Sequence, residues 1–389
     1  MIPDVAVVGG GIVGAATAAF LAARGARVTL FERTELGAGA SGRNSGIVQQ
    51  PFDAVLAGLY WQSLELYREL VAELPGSFRL DARPAGLLYV GPAVAESAAR
   101  GLAGAWTAAY PDARAELVAG STLRDLDPAL ADDLVACRLD IGYPAAPASA
   151  TRAYAALAER LGASIVIGGD ARLAVRDGVA VGVEVDGRLV EAGSVVVAAG
   201  PWTPDILTGV GATSPPPWPA IRRSWGVVAA IELERPPRHV LEEIDIDIEP
   251  DDGGDGSAAR DAGFGFSLVT ADGSSALGST FLPGPPEPSS VVDRLRDRGA
   301  RYVPAIGSTP VVGTRTCARP VSPDGRPLLG PIPGIRNAFI AAGHGPWGIS
   351  TGPGSARLIA DLVLGNPGAI PPELDPARFG APSGEARNR

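Results

Sequence analysis

Short apolar runs alternate with longer stretches rich in small residues, the pattern of buried parallel strands separated by helices. The first run is Asp4-Val5-Ala6-Val7-Val8. It ends in Gly9-Gly10-Gly11-Ile12-Val13-Gly14, and the alanine-rich stretch that follows, as far as Arg24, predicts a helix packed tightly on a sheet. Arg27-Val28-Thr29-Leu30-Phe31 predicts the second strand, with Glu32 at its end. Ser194-Val195-Val196-Val197 and Ala338-Phe339-Ile340-Ala341-Ala342 repeat the strand pattern, the latter opening into a glycine-rich turn and a final helix to about Leu364. Between Asp53 and Val71, Leu56, Leu59, Tyr60, Leu66 and Leu70 fall near helical spacing and predict a core-facing helix. The stretch from Glu242 to Asp261 is acidic and glycine-rich and is expected to be a solvated loop, with an edge strand or a subunit contact as alternatives. The chain beyond Pro371 is rich in Pro and Gly and is expected to be poorly ordered.

Each position of the first turn has a physical job. Gly9 permits the tight turn, Gly11 lets the backbone approach a pyrophosphate, and Gly14 allows close helix–strand contact. The helix N-terminus offers free N–H groups and a positive dipole end to that pyrophosphate. Glu32 stands where an acid accepts hydrogen bonds from an adenosine ribose, and its charge disfavours a 2′-phosphate. Strand, turn, helix, strand and acid in this order predict an ADP-containing dinucleotide. They leave FAD and NAD both open.

Four separated segments carry further information. The first is the N-terminal turn with Ala40-Ser41-Gly42-Arg43-Asn44-Ser45-Gly46 after the second strand. The second is the strand ending in Ala199-Gly200-Pro201-Trp202. The others are Pro323-Asp324-Gly325-Arg326-Pro327-Leu328-Leu329-Gly330 and Gly343-His344-Gly345-Pro346-Trp347-Gly348-Ile349-Ser350. A pyridine-nucleotide reductase would carry a second G-x-G-x-x-G and a redox cysteine pair, and neither is found. Together the four segments resemble the D-amino-acid oxidase, glycine oxidase and sarcosine oxidase superfamily of flavoenzymes, and the resemblance implies FAD.

It also implies an α/β fold: a discontinuous Rossmann-like FAD-binding domain over 1–83, 143–208 and 318–372, and an α+β antiparallel-sheet substrate domain over 84–142 and 209–317, with a tail from 373. Expected cofactor contacts are Gly9, Gly11, Ile12, Val13 and Gly14, then Glu32 with Arg33, and then Ser41, Arg43, Asn44, Ser45 and Gly46 of the loop. Ala171 is expected at the adenine, and Ala199, Gly200 and Trp202 beside the cofactor. Gly345, Trp347, Gly348, Ile349 and Ser350 are expected at the flavin pyrimidine end, where a helix N-terminus stabilises negative charge.

The resemblance places catalytic work on two residues. Arg319 matches the arginine that clamps a substrate carboxylate, and a bidentate fork suits that task. The tyrosine that often assists it is absent from the matching segment, Ser267-Leu268-Val269-Thr270. His344 is expected to hydrogen-bond the flavin or shape the pocket, with acid–base work as a further role. Cys317 stands where the sarcosine-oxidase branch attaches its flavin and is a candidate for a covalent link. Trp225, Trp347 and Phe266 are candidate pocket walls. The implied reaction is oxidation of the C–N bond of a small amine, such as a D-amino acid, glycine or an N-substituted amino acid. Electrons would pass to O2, a quinone or a partner flavoprotein. The alternatives are a flavoprotein subunit of a multi-subunit dehydrogenase, inactive alone, and an NAD-dependent dehydrogenase.

Composition narrows the field further. At 389 residues, with 46% hydrophobic and 20% charged, the chain has the balance of a globular protein large enough for two domains. A net charge of -10 disfavours nucleic acid and anionic membranes as partners. No apolar run approaches the roughly 20 residues a membrane span needs. Met1-Ile2-Pro3-Asp4 carries no export signal, so a cytoplasmic location is expected. Cys137 and Cys317 with His239 and His344 offer neither a disulfide framework nor metal spacing. All 33 basic residues are Arg, which removes every mechanism that depends on a lysine, including lysine-based oxygen activation.

Overall fold

The computed structural model describes residues 4–208, 220–244, 263–366 and 370–380. Two sheets organise it. The first has six strands in the order Leu328–Pro331, Ala338–Ala342, Ser194–Val197, Val5–Val8, Val28–Glu32 and Ser164–Ile167. All neighbours run parallel except the first pair. The strands are apolar throughout because both faces are covered. Val5 and Val7 join the helical side, whereas Ala6 and Val8 join the core beneath a three-stranded sheet of Ala171–Arg176, Val179–Val185 and Arg188–Glu191.

The helical side carries Ile12–Ala22, Ala54–Glu73, Ser149–Arg160 and Gly348–Val363. All eleven residues of Ile12–Ala22 are buried, and its alanines let the last helix pack closely against it. Asp53 caps Ala54–Glu73 by accepting hydrogen bonds from the Val55 and Leu56 amides at 2.9 and 3.0 Å. Gly354 brings the last helix against that one: its N–H donates to Ser63 Oγ at 2.9 Å, and a Cβ there would lie 2.6 Å from the Leu59 carbonyl.

The second sheet has eight strands: Val311–Val321, Arg222–Ile231, Ser274–Thr280, Phe264–Ala271, Val240–Glu243, Leu87–Pro92, Leu134–Leu139 and Ala115–Ala119, in that spatial order. Only the pair Val240–Glu243 and Leu87–Pro92 is parallel. Helix Pro288–Ala300 covers one face through Val291 and Leu295, and helix Glu96–Ala109 covers part of the other through Ala99 and Trp106.

Four expectations change. The boundary at 318 falls inside strand Val311–Val321, whose pairing with Arg222–Ile231 continues in register from Gly313 to Val321, so Arg319 is carried by the second sheet. Glu242 and Glu243 are not loop residues: they end a strand held between Phe264–Ala271 and Leu87–Pro92. The rest of that acidic stretch, to Asp261, lies outside the described residues. Phe266 is core, 1% exposed and stacked on Tyr302 with ring centres 4.7 Å apart. Residues 373–380 are anchored, with Leu374 and Pro376 buried and Arg378 bonded to Asp324 at 2.8 Å. Among the described residues, no helix is long and apolar enough to cross a membrane.

Candidate active site

A cavity of about 750 Å³ lies between the two sheets, and nearly every residue expected at a site lines it. Its inner end is the glycine turn. Gly9 has φ +112°, and a Cβ there would fall 2.5 Å from the Ala198 carbonyl, so only glycine fits. Gly11 caps helix Ile12–Ala22 without a side chain, and Gly10, Gly11, Ile12 and Val13 present the first turn to the cavity. Ser41 Oγ accepts the Ile12 N–H at 2.9 Å, which leaves its own hydroxyl proton to donate. Glu32 closes this end. It accepts the Gly10 N–H at 2.7 Å and the Thr34 N–H at 2.9 Å, and its remaining lone pairs can take hydroxyl donors.

Ala171, Ala199, Gly200 and Trp202 continue the wall, with the Arg33 guanidinium carbon 5.6 Å from the Trp202 ring centre. Arg43 and Ser45 line the wall across from them, and Arg43 Nη1 donates to the Thr316 carbonyl at 3.2 Å. Thr316 is also on the wall, but its Oγ is buried behind it with no protein partner among the described residues. Asn44 plays another part: it bonds the Ala40 and Ser41 carbonyls at 3.0 and 2.7 Å and the Gly46 N–H at 2.7 Å, so its side chain braces the loop. Gly14 and Gly46 stand behind the wall. A Cβ on Gly14 would lie 1.9 Å from the Gly9 carbonyl, and one on Gly46 2.4 Å from that of Ala145. Both are spacers that allow close approach. A glycine cradle that a Cβ would fill, a helix N-terminus, the Ser41 hydroxyl and an acid beside them together fit FAD.

The outer end is built by the second sheet. Arg319 reaches across Gly226, donating from Nη1 to the Thr280 carbonyl at 2.6 Å and from Nη2 to Ser279 Oγ at 3.1 Å. Its guanidinium carbon sits 4.4 Å from the Phe281 ring centre. Burial pulls its pKa down to about 10, so it is still charged at neutral pH. Among the described residues no carboxylate pairs with it. Arg319 lines the cavity and has N–H groups to spare beyond those two bonds.

His344 is 3% exposed, with Nε2 at 3.0 Å from Ser355 Oγ. Burial pulls its pKa down to about 4, which makes it a neutral ring at working pH, poorly suited to carry protons. Gly345 (φ +54°), Trp347, Gly348, Ile349 and Ser350 line the adjoining wall, fixed by the Tyr67 hydroxyl donating to the Ile349 carbonyl at 2.7 Å and the Gln49 N–H donating to Ser350 Oγ at 2.9 Å. Cys317 lines the cavity too, and burial pushes its thiol up to about 11. Trp225 is on the wall as expected. Gln49, Tyr89 and Glu242 are there without having been anticipated. The sequence signals for Tyr89 and Glu242 were weak, since neither belongs to a recognisable motif. Gln49 could have been noticed three positions beyond Gly46.

The same architecture recurs in solved structures. The glycine oxidase of Geobacillus kaustophilus superposes with a TM-score of 0.81 at 24% identity, covering 97% of this chain and 98% of that one. The L-proline dehydrogenase of P. horikoshii gives 0.81 at 21% identity with the same coverage. In sequence, the chain is 30% identical over 374 residues to the Geobacillus kaustophilus glycine oxidase, covering 92% of each. It is 27% identical over 405 residues to the glycine oxidase of Pseudomonas aeruginosa, covering 98% of each. A family profile described as DAO, FAD dependent oxidoreductase, matches residues 4–362. A cradle shaped for FAD and a match along nearly the whole chain lead to one conclusion: the protein belongs to the DAO family of FAD-dependent oxidoreductases.

Proposed function

We propose that the protein oxidises the C–N bond of a small amino acid, such as glycine, a D-amino acid or an N-substituted amino acid. The observation that carries this is the Arg319 guanidinium, held at the cavity wall by two neutral acceptors and without a carboxylate partner among the described residues. A half-buried cation at a cavity wall is costly unless something pairs with it, and a substrate carboxylate is the matching anion. Relatives named as glycine oxidases and a neighbour named as an L-proline dehydrogenase support the same substrate class.

FAD, when bound, supplies the acceptor for the hydride that leaves the substrate carbon. The chain's own work is positioning. The first turn of helix Ile12–Ala22 and Ser41 would hold the pyrophosphate, and Glu32 the ribose. Arg319 would fix the carboxylate and so orient the carbon that is to be oxidised. Trp225 and Phe281 exclude water around it. Hydride loss needs a neutral nitrogen whose lone pair forms the new C=N bond, and the neutral His344 adds no positive charge to oppose that change.

The test is anaerobic flavin reduction by an amino acid and by the amine it becomes on losing its carboxylate. The amino acid is expected to react at least about a hundredfold more efficiently. Equal reactivity of the pair overturns the carboxylate clamp. Peroxide release under air then separates oxygen from a quinone or partner flavoprotein as acceptor.

A further inference from the structure

We propose that Glu242 sets the substrate specificity of this site by receiving a positive charge on the substrate's side chain, opposite Arg319. This rests on the amino-acid reading above and goes further, to a basic side chain.

Glu242 sits on strand Val240–Glu243, paired with Ser267 on one side and Tyr89 on the other. Ser267 in turn pairs with Gly278. Residues in one row across a sheet share a face, and Glu242, Tyr89 and Ser267 all line the cavity. The carboxylate accepts the Gln49 Nε2 donor at 3.3 Å, and the Tyr89 hydroxyl beside it accepts from the same nitrogen at 3.3 Å. Both neighbours are neutral. No cation pairs with Glu242 among the described residues.

The contrast with its neighbour is sharp. Glu243 receives Arg298 Nε and Nη2 at 2.7 and 3.0 Å and the Tyr302 hydroxyl at 2.5 Å. One half-buried carboxylate is neutralised by the protein. The next is left facing the cavity with neutral donors alone. Burying a carboxylate without a cation is costly, and a ligand that brings the cation relieves that cost.

The spacing also selects. The Arg319 guanidinium is anchored at Ser279 and Thr280, and Glu242 lies two strands away from that strand. At the usual strand separation this is about 10 Å. Between them Gly278 keeps the floor low, since a Cβ there would come within 3.0 Å of Ser267 Oγ. A chain of a few carbons bridges that gap once its carboxylate is on Arg319. The reacting nitrogen does not suit Glu242, because a carboxylate would hold it protonated while hydride loss needs it neutral. A second, unreactive cation does suit it.

The experiment uses the FAD-loaded full-length protein and its Glu242→Gln variant, each accepted only with full flavin content. Both enantiomers of 2,4-diaminobutyrate and ornithine are compared with norvaline, a neutral amino acid of similar length. Two readouts are taken under argon: the ligand-induced rise in unfolding temperature, and the concentration dependence of flavin bleaching. The wild type is expected to favour a basic ligand by about tenfold or more, and E242Q to reduce that ratio by about tenfold or more. A wild type that favours norvaline, or an E242Q ratio that matches the wild type, overturns the role of Glu242. If norvaline still binds in that case, the amino-acid reading survives and only this inference falls. If no amino acid of either kind binds, the amino-acid reading fails and takes this inference with it.

Discussion

Arg319 passes directly over Gly226: a Cβ built on that glycine would lie 2.6 Å from Nη1 and 2.8 Å from Nη2. The carboxylate clamp therefore depends on a missing side chain on the neighbouring strand. Gly226→Ala is expected to fold and to bind FAD, because the displaced atoms are the far end of a flexible side chain. It should push the guanidinium away from Ser279 and Thr280 and raise KM about tenfold or more, with a smaller fall in kcat. Steady-state kinetics on an amino-acid substrate, with flavin content as a control, provide the check. An unchanged KM would mean that the guanidinium does not act from where it lies.

Gly14 is the tightest contact of the cradle, with a hypothetical Cβ 1.9 Å from the Gly9 carbonyl. Both partners are backbone, so neither can swing aside. Gly14→Ala must move helix Ile12–Ala22 off the turn and is expected to yield a protein that purifies with little or no flavin. Stoichiometric yellow protein from that variant would show that the turn tolerates the shift.

How the local and the distant parts of the site differ in legibility follows from these residues. Strand, turn, helix and acid from Val5 to Glu32 were readable because their geometry is set within one short stretch of chain. Arg319 was readable through its motif, but its place on the second sheet was not, because only the pairing Ser224 with Arg319 reveals the strand. Glu242 was misread as loop. Its acidic neighbours dominate the local composition, while its burial comes from Tyr89 and Gln49, which are remote in sequence. Phe266 was offered as a pocket wall because an aromatic on an alternating strand faces one side or the other, and only its stacking on Tyr302 decides which. The start of the tail, to residue 380, was misread for a similar reason: Arg378 is held by Asp324, a contact no local pattern announces, while the rest of the tail lies outside the described residues.

Cys317 lines the cavity, yet burial raises its thiol to about 11, which keeps it protonated at neutral pH and a poor nucleophile. The flavin is therefore expected to be non-covalent. Acid precipitation should leave the yellow colour in the supernatant, and colour retained in the washed pellet would contradict this.

The buried His344 gives stability a defined pH dependence. Unfolded, the imidazole takes a proton below about 6.5, whereas in the folded protein burial delays this to about 4. The unfolded state thus binds more protons across that window, so stability falls as pH drops from about 6.5 to about 4 and this contribution then levels off. The loss is on the order of 3 kcal/mol. Glu242, whose carboxyl burial raises, acts in the opposite sense, so the histidine must be isolated by difference. Denaturant unfolding of the wild type and His344→Asn between pH 7 and pH 4 should show a shallower acid loss in the variant. Parallel curves would mean that the ring is not buried as a neutral base.

The most direct test of the account is the reductive half-reaction of Arg319→Met, followed anaerobically by flavin bleaching with an amino acid that reduces the wild type. Replacing a half-buried cation that has no carboxylate partner by an apolar chain of similar length is expected to leave the unfolding temperature unchanged or raised. The second-order rate of reduction is expected to fall by at least about a hundredfold. A well-folded, flavin-loaded Arg319→Met protein reduced at the wild-type rate would contradict the central claim that this arginine holds the substrate carboxylate.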